Sequence, residues 1–203
     1  MSPRAGSQLV TGLLLLGLTV LVPPSVAAQE VAVPVAVQVP ILVKILNFDR
    51  KLPERAGDRL VVGVLYQSRY RTSANVAHEV CRSLLQLPTG SLGALELSCV
   101  AIDLDAIPAL DVALKRERIR VLYVSPLRAI SLGEVISASR AAQITTLTGV
   151  PRYVETGLAI GVDMKGERPE IVINLAASRA EGAELTAHLL KLARVVGDEG
   201  AGR

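Results

Sequence analysis

The chain has 203 residues, half of them hydrophobic and a fifth charged, which is enough apolar material for one sizeable core. Aromatic residues make up only 2%, with Phe48 the sole Phe and no Trp, which argues against stacking on single-stranded nucleic acid. The net charge is +3, and its densest patches, Arg50-Lys51 and Lys115-Arg116-x-Arg118-x-Arg120, hold too few aligned cations for counter-ion-releasing binding, so no nucleic-acid partner is expected.

Residues 1–28 read as a secretory signal. Arg4 gives a short positive start, residues 9–22 are apolar, Pro23-Pro24 breaks the run, and Val26-Ala27-Ala28 supplies small residues for cleavage. The apolar run is shorter than the ~20 residues that a spanning helix needs. Cleaved export is the leading reading and an uncleaved anchor the other. No cysteine follows the run, which leaves no site for lipoprotein processing. The expected division is a signal peptide over 1–28 and one domain over 29–203, with no later membrane span.

Ile41, Leu42, Ile45, Leu46 and Phe48 fit one helical face, so 37–48 is read as a helix with Pro40 in its first turn. Residues 60–66 (LVVGVLY) form a buried strand. Thr72 or Ser73 is placed to cap a helix over 72–87, whose apolar positions are Val76, Val80, Leu84 and Leu87. Pro88, Gly90 and Gly93 make a loop. There follow a strand over 95–102, a helix over 107–115, a strand over 119–124, a helix over 132–141 with Ser131 near its start, and a strand over 144–147. Strands alternating with helices predict a mostly parallel sheet with helices on both faces.

Past Thr156 the rhythm changes. Residues 158–164, the turn Lys165-Gly166-Glu167-Arg168, and residues 170–175 read as a β-hairpin. Asn174 is placed to cap a short helix over 175–181, which Gly182 ends in the left-handed conformation. Leu185, Leu189, Leu192 and Val196 recur at helical spacing and predict a second helix, with Lys191 and Arg194 in its last turns. Such a face serves either a core or an interface, so a homodimer is one reading. The fold class expected is α/β: one domain with a mostly parallel sheet flanked by helices, flavodoxin-like or half-binding-protein-like, with a C-terminal β-hairpin and terminal helices.

The chain has no G-x-G-x-x-G after a strand, no P-loop and no G-x-S-x-G. His78 and His188 fall on predicted helices and read as structural or solvated. Glu79 is adjacent to His78 and does not share its face. Asp103 and Asp105 alternate near a strand end, but two carboxylates alone make a weak cation site. Hence no catalytic residue, metal or cofactor is expected, and the protein is read as a non-enzyme. Cys81 lies in a predicted helix and Cys99 late in the next strand. They form a disulfide if that helix packs over that strand; otherwise they are two buried thiols. One constellation stands out. Ligands bind beyond the carboxyl ends of strands in open parallel sheets. Those ends here carry Arg69 and Tyr70, then Ser125 and Arg128, then Arg152. Arginine and hydroxyl donors suit a carboxylate or phosphate.

The C-terminal region carries a resemblance. Ile173-Asn174-Leu175, Ala176-Ala177, Gly182 and Leu189-Leu190-x-Leu192-Ala193 resemble the signature of the YfiR/HmsC-like family, and residues 157–162 match its Gly-rich strand. The resemblance is strongest over 143–196 and weak before Leu60. The family pattern also places a helix before Asn47-Phe48. The resemblance implies a periplasmic protein whose partner is the periplasmic region of an inner-membrane diguanylate cyclase, which it restrains. The alternative is a periplasmic module binding a small anion for a transporter or sensor kinase. Two departures matter. The family's Trp-Pro step is replaced by Phe48-Asp49-Arg50-Lys51-Leu52-Pro53. Leu122 and Tyr123 stand where the family often has a Cys, so that disulfide cannot form.

Overall fold

The computed structural model describes residues 31–128 and 132–197. The expected signal peptide and Ser131 lie outside the described residues. Runs rich in Val, Leu and Ile build β1 (Arg59–Tyr66), β2 (Glu96–Asp103), β3 (Val121–Val124), β4 (Thr145–Thr148), β5 (Ile160–Lys165), β6 (Arg168–Asn174) and β7 (Arg194–Val196). They form one sheet in the order β2-β1-β3-β4-β5-β6-β7. β1 to β5 are parallel, β6 is antiparallel to β5, and β7 runs parallel to β6. Register is continuous across the centre, where Val62 pairs with both Cys99 and Val121.

Helices cover both faces. On one, α1 (Val35–Leu46) and α3 (Arg71–Leu85) bury Val39, Leu42, Leu46, Val76 and Val80 against Leu60, Val62, Val64, Val121 and Tyr123. On the other, α4 (Leu110–Arg116), α5 (Leu132–Ala142) and α6 (Pro151–Thr156) bury Leu110, Leu114, Val135 and Tyr153 over Leu65, Leu122 and Val124. Each fully buried aliphatic side chain contributes about 1.5–3 kcal/mol. The arrangement is a single α/β domain with a mostly parallel seven-stranded sheet and a C-terminal hairpin.

Some expectations need correction. α1 starts at Val35, and Pro34 O accepts from Val37 N and Gln38 N. Pro40 therefore lies inside the helix, where its ring is exposed and the carbonyl it leaves free belongs to exposed Ala36. Neither Thr72 nor Ser73 caps α3. Tyr70 occupies the N-cap in extended conformation without a side-chain cap, and Ser73 Oγ accepts from Gln67 N (3.1 Å). Two short helices, α2 (Leu52–Ala56) and α6, were not expected; five or six residues show too little periodicity to read.

The hairpin turns through Gly166, whose φ of 61° is left-handed and suits the first central position of a two-residue turn. Asn174 Oδ1 accepts from Ala177 N (2.9 Å) and caps α7 (Leu175–Ala180), and Gly182 follows at φ 79°. The predicted second helix is present but shorter than its spacing suggests. Thr186 caps α8 (Ala187–Leu192), and the chain then turns into β7. Leu189 is buried, but Leu192 is 63% exposed, so the spacing does not mark one buried stripe. β-branched Val195 and Val196 suit a strand, and Arg194 is held by Glu155, Asp163 and Glu170.

Candidate functional site

The strand order reverses direction between β1 and β3, with β2 on one side and β4 on the other. In open α/β sheets ligands bind at such a reversal, beyond the carboxyl ends of the strands, here β1 and β3. Arg69 and Tyr70 follow β1, and Ser125 and Arg128 follow β3, so four of the five sequence-predicted residues flank it.

Hydrogen bonds to the next loop hold the β1 loop. Asp103 Oδ1 accepts from Ser68 N (3.0 Å) and Asp105 N (3.0 Å), and Asp105 Oδ2 accepts from Arg69 N (2.8 Å). The two aspartates are thus loop anchors. Burial alone would push the Asp103 carboxyl up. Hydrogen bonds from Ser68 and Asp105, with the Arg69 charge, bring it below its ordinary value. The β3 loop is tied to the β1 loop by Arg128 N, which donates to Gln67 Oε1 (2.6 Å). Tyr153 OH accepts from Leu127 N (2.8 Å) and fastens the same loop to α6.

Arg128 stacks on Tyr70, its Cζ 4.2 Å from the ring centroid. Among the described residues no acceptor bonds that guanidinium, so its N–H groups are available at the rim. Ser125 is fully buried, and its Oγ has no hydrogen-bond partner. Side chains alternate along β3, where Val121 and Tyr123 face α1 and α3 and Leu122 and Val124 face α4 and α5. Arg152 is exposed on α6. Among the described residues no hydrogen bond or ring contact ties its side chain to the other four.

Sequence reasoning missed the polar layer beneath this rim. Tyr123 OH donates to Gln38 Oε1 (2.9 Å), and Gln38 Nε2 donates to Val33 O (2.9 Å). Burial pushes the Tyr123 phenol far up, so it stays neutral. A Cβ on Gly149 would come within 2.5 Å of Gln38 Oε1, so a side chain there would displace the Gln38 amide. An amphipathic reading of α1 signals a buried glutamine only by its place on the apolar face.

Cys81 and Cys99 are joined by a disulfide with Cα atoms 5.6 Å apart, which fastens α3 to β2. Among the described residues no group of His, Cys, Asp and Glu could hold a metal ion, and no helix is long and apolar enough to cross a membrane.

No curated protein sequence matches the chain. Solved structures are similar to it. The ABC domain in complex with L-Trp from Streptococcus pneumonia is 14% identical, with a TM-score of 0.54 over 80% of this chain and 60% of that one. The chain thus spans less than two thirds of that protein. A conserved domain protein from Vibrio cholerae is 14% identical (TM-score 0.46, 80% and 60% covered). The ligand-free, open structure of a substrate binding protein with adhesive properties from Clostridium difficile is 16% identical (TM-score 0.47, 72% and 57% covered). The first likeness carries the fold alone. The YfiR/HmsC-like family model matches residues 36–194, nearly every described residue. The chain belongs to the YfiR/HmsC-like family.

Proposed function

We propose that the protein is a periplasmic regulator that binds the periplasmic region of a membrane-bound diguanylate cyclase and holds it inactive. Family membership over residues 36–194 is the observation that carries this reading. The mechanism is stoichiometric: a partner that binds one conformation of the cyclase shifts the population toward it by its difference in affinity for the two states. No chemistry is asked of this chain. Deleting the gene is expected to raise cellular cyclic di-GMP, and the protein used as bait on detergent-solubilised membranes is expected to retain a protein with a cytoplasmic diguanylate cyclase domain. An unchanged cyclic di-GMP level sinks the reading.

The side chains at this switch point favour a second reading, a module that binds a small anion. Its support is specific: Arg128 is preset on Tyr70 with free donors, Arg69 lies across the switch point, and Ser125 carries an unpartnered hydroxyl. Arg152 belongs to the same proposal as an outer cation. A charge-assisted hydrogen bond contributes about 1.5–3 kcal/mol, so Arg128→Ala is expected to weaken anion binding about tenfold or more. Calorimetric titration with phosphate and citrate checks it. Equal binding by wild type and Arg128→Ala, or none by wild type, removes the idea.

A further inference from the structure

The end of the sheet opposite the rim holds a carboxyl that neither reading uses. Glu181 is the C-cap residue of α7 and is fully buried. β5 pairs with β4 only at Leu147 and Thr148, so Thr145 and Thr146 face no strand on that side. The Glu181 carboxyl fills the gap. Thr146 N donates to Oε2 (2.7 Å) and Thr146 Oγ1 donates to Oε1 (2.8 Å). Ala159 N donates to the same threonine hydroxyl (2.7 Å). One side chain thus joins the end of α7, the start of β4 and the approach to β5.

The surrounding charges do not pair with it directly. Arg55, on α2, is committed elsewhere. Its Nη1 donates to the backbone carbonyls of Gln143 (2.8 Å) and Glu181 (3.3 Å), and its Nη2 donates to Asp49 and to Thr145 Oγ1 (3.0 Å). Asp49, in the turn before α2, is the counter-charge that Arg55 pairs with. Arg140, on α5, acts on the carboxyl only at longer range and is solvent-exposed. Among the described residues no cation hydrogen-bonds the Glu181 carboxyl.

We propose that Glu181 is a proton-operated clasp, which holds the end of α7 on β4 when protonated and loosens that hold when ionised. Placing a carboxylate in this site costs desolvation free energy that an uncharged carboxyl does not incur. Burial pushes the group up to about 7, against the opposing pull of the Thr146 hydrogen bonds and of the Arg140 and Arg55 charges. The folded protein therefore binds this proton more tightly than the unfolded chain does. Its contribution to stability falls as pH rises from about 4.5 to about 7, and is flat above that.

The loosened segment leads somewhere. Beyond Gly182, Glu184 N donates to Asp49 Oδ1 (2.9 Å) and Leu185 bridges to Asp49, so the clasp is linked to the turn that ends α1. A cleft of about 550 Å³, lined by Lys51, Arg55, Arg120, Gln143 and Gly182 among others, opens beside it. Ionisation of Glu181 loosens one wall of that cleft.

Two measurements on the folded chain test the clasp. Carbon-13 NMR titration of the Glu181 carboxyl is expected to give a midpoint above about 6, and a midpoint below about 5 overturns the proposal. Hydrogen exchange at the Thr146 and Ala159 amides is the second, corrected for the intrinsic pH dependence of exchange. Between about pH 5 and about pH 8, protection in the wild type is expected to fall about tenfold or more, and in Glu181→Gln less than about twofold. The same change in both proteins overturns the proposal. If Glu181→Gln fails to fold, the wild-type titration decides alone.

Discussion

Asp49→Ala is expected to lower the unfolding free energy by about 3–5 kcal/mol. The thermal midpoint is expected to fall by roughly 6–20 °C. The Asp49 side chain is 1% exposed, and its partner Arg55 is 12% exposed. Asp49 Oδ1 accepts from Lys51 N (3.0 Å) and Glu184 N (2.9 Å), and its Oδ2 takes Arg55 Nη2. Truncation therefore does three things together. It leaves a nearly buried guanidinium without its counter-charge. It strands two backbone donors. It also releases the 184–185 segment from the turn after α1. Asp49→Asn keeps an acceptor for the backbone donors and loses the charge, so its cost is expected to lie between wild type and Asp49→Ala. Chemical denaturation read by circular dichroism checks both. A loss below about 1 kcal/mol for Asp49→Ala is the value of an exposed pair and contradicts this account.

Nothing local in the sequence marks Asp49. It sits in Phe48-Asp49-Arg50-Lys51, beside two cationic side chains that pair with Glu184 instead, and its partner Arg55 lies six residues on. Glu184, whose amide it accepts, is 135 residues away. Distance in sequence also hides Glu181, at the end of α7, whose partner Thr146 is 35 residues earlier on β4. Burial of a charged group is decided by which chain segments cover it, and that is a property of the assembled sheet.

The architecture was legible for the opposite reason. Strand and helix periods are local, and β1, α3, β2 and α5 follow runs long enough to show them. The C-terminal segment shows the limit. Leu185, Leu189, Leu192 and Val196 match a helical period, but four residues also fit by chance. Val195 and Val196 gain a partner strand in β6, where Val195 pairs with Ile173 and Val196 with Asn174. Tertiary pairing overrides the local pattern there. The rim was legible only as a set of loops. Its focus at Arg69, Tyr70, Ser125 and Arg128 needs the strand order, because the reversal between β1 and β3 selects which two loops face each other. Arg152 sits one strand further along, on α6, and its distance from that reversal is equally invisible before the order is known.

Removing the disulfide is expected to cost about 3 kcal/mol, from a closed loop of similar length to the 15-residue case in the chain-entropy estimate. Cys81 and Cys99 are 18 residues apart. β2 is the edge of the sheet and pairs only with β1 among the described residues. Leu97, Cys99 and Val100 on it are only half-buried, so apolar burial holds this strand less firmly than it holds β3, where all four residues are buried. The covalent link to α3 compensates on the face that α3 covers. Both Cys81→Ala/Cys99→Ala and reduction of the wild type are therefore expected to lower the thermal midpoint by roughly 6–12 °C. Amide exchange is expected to accelerate most in β2 and the 86–95 loop, and least in β3 and β4. Differential scanning calorimetry with and without reductant, followed by exchange mapping, measures both effects. An equal midpoint in the two conditions means that α3 and β1 hold the edge strand unaided. Loss concentrated in β3 would mean that the bridge supports the whole sheet and not its edge.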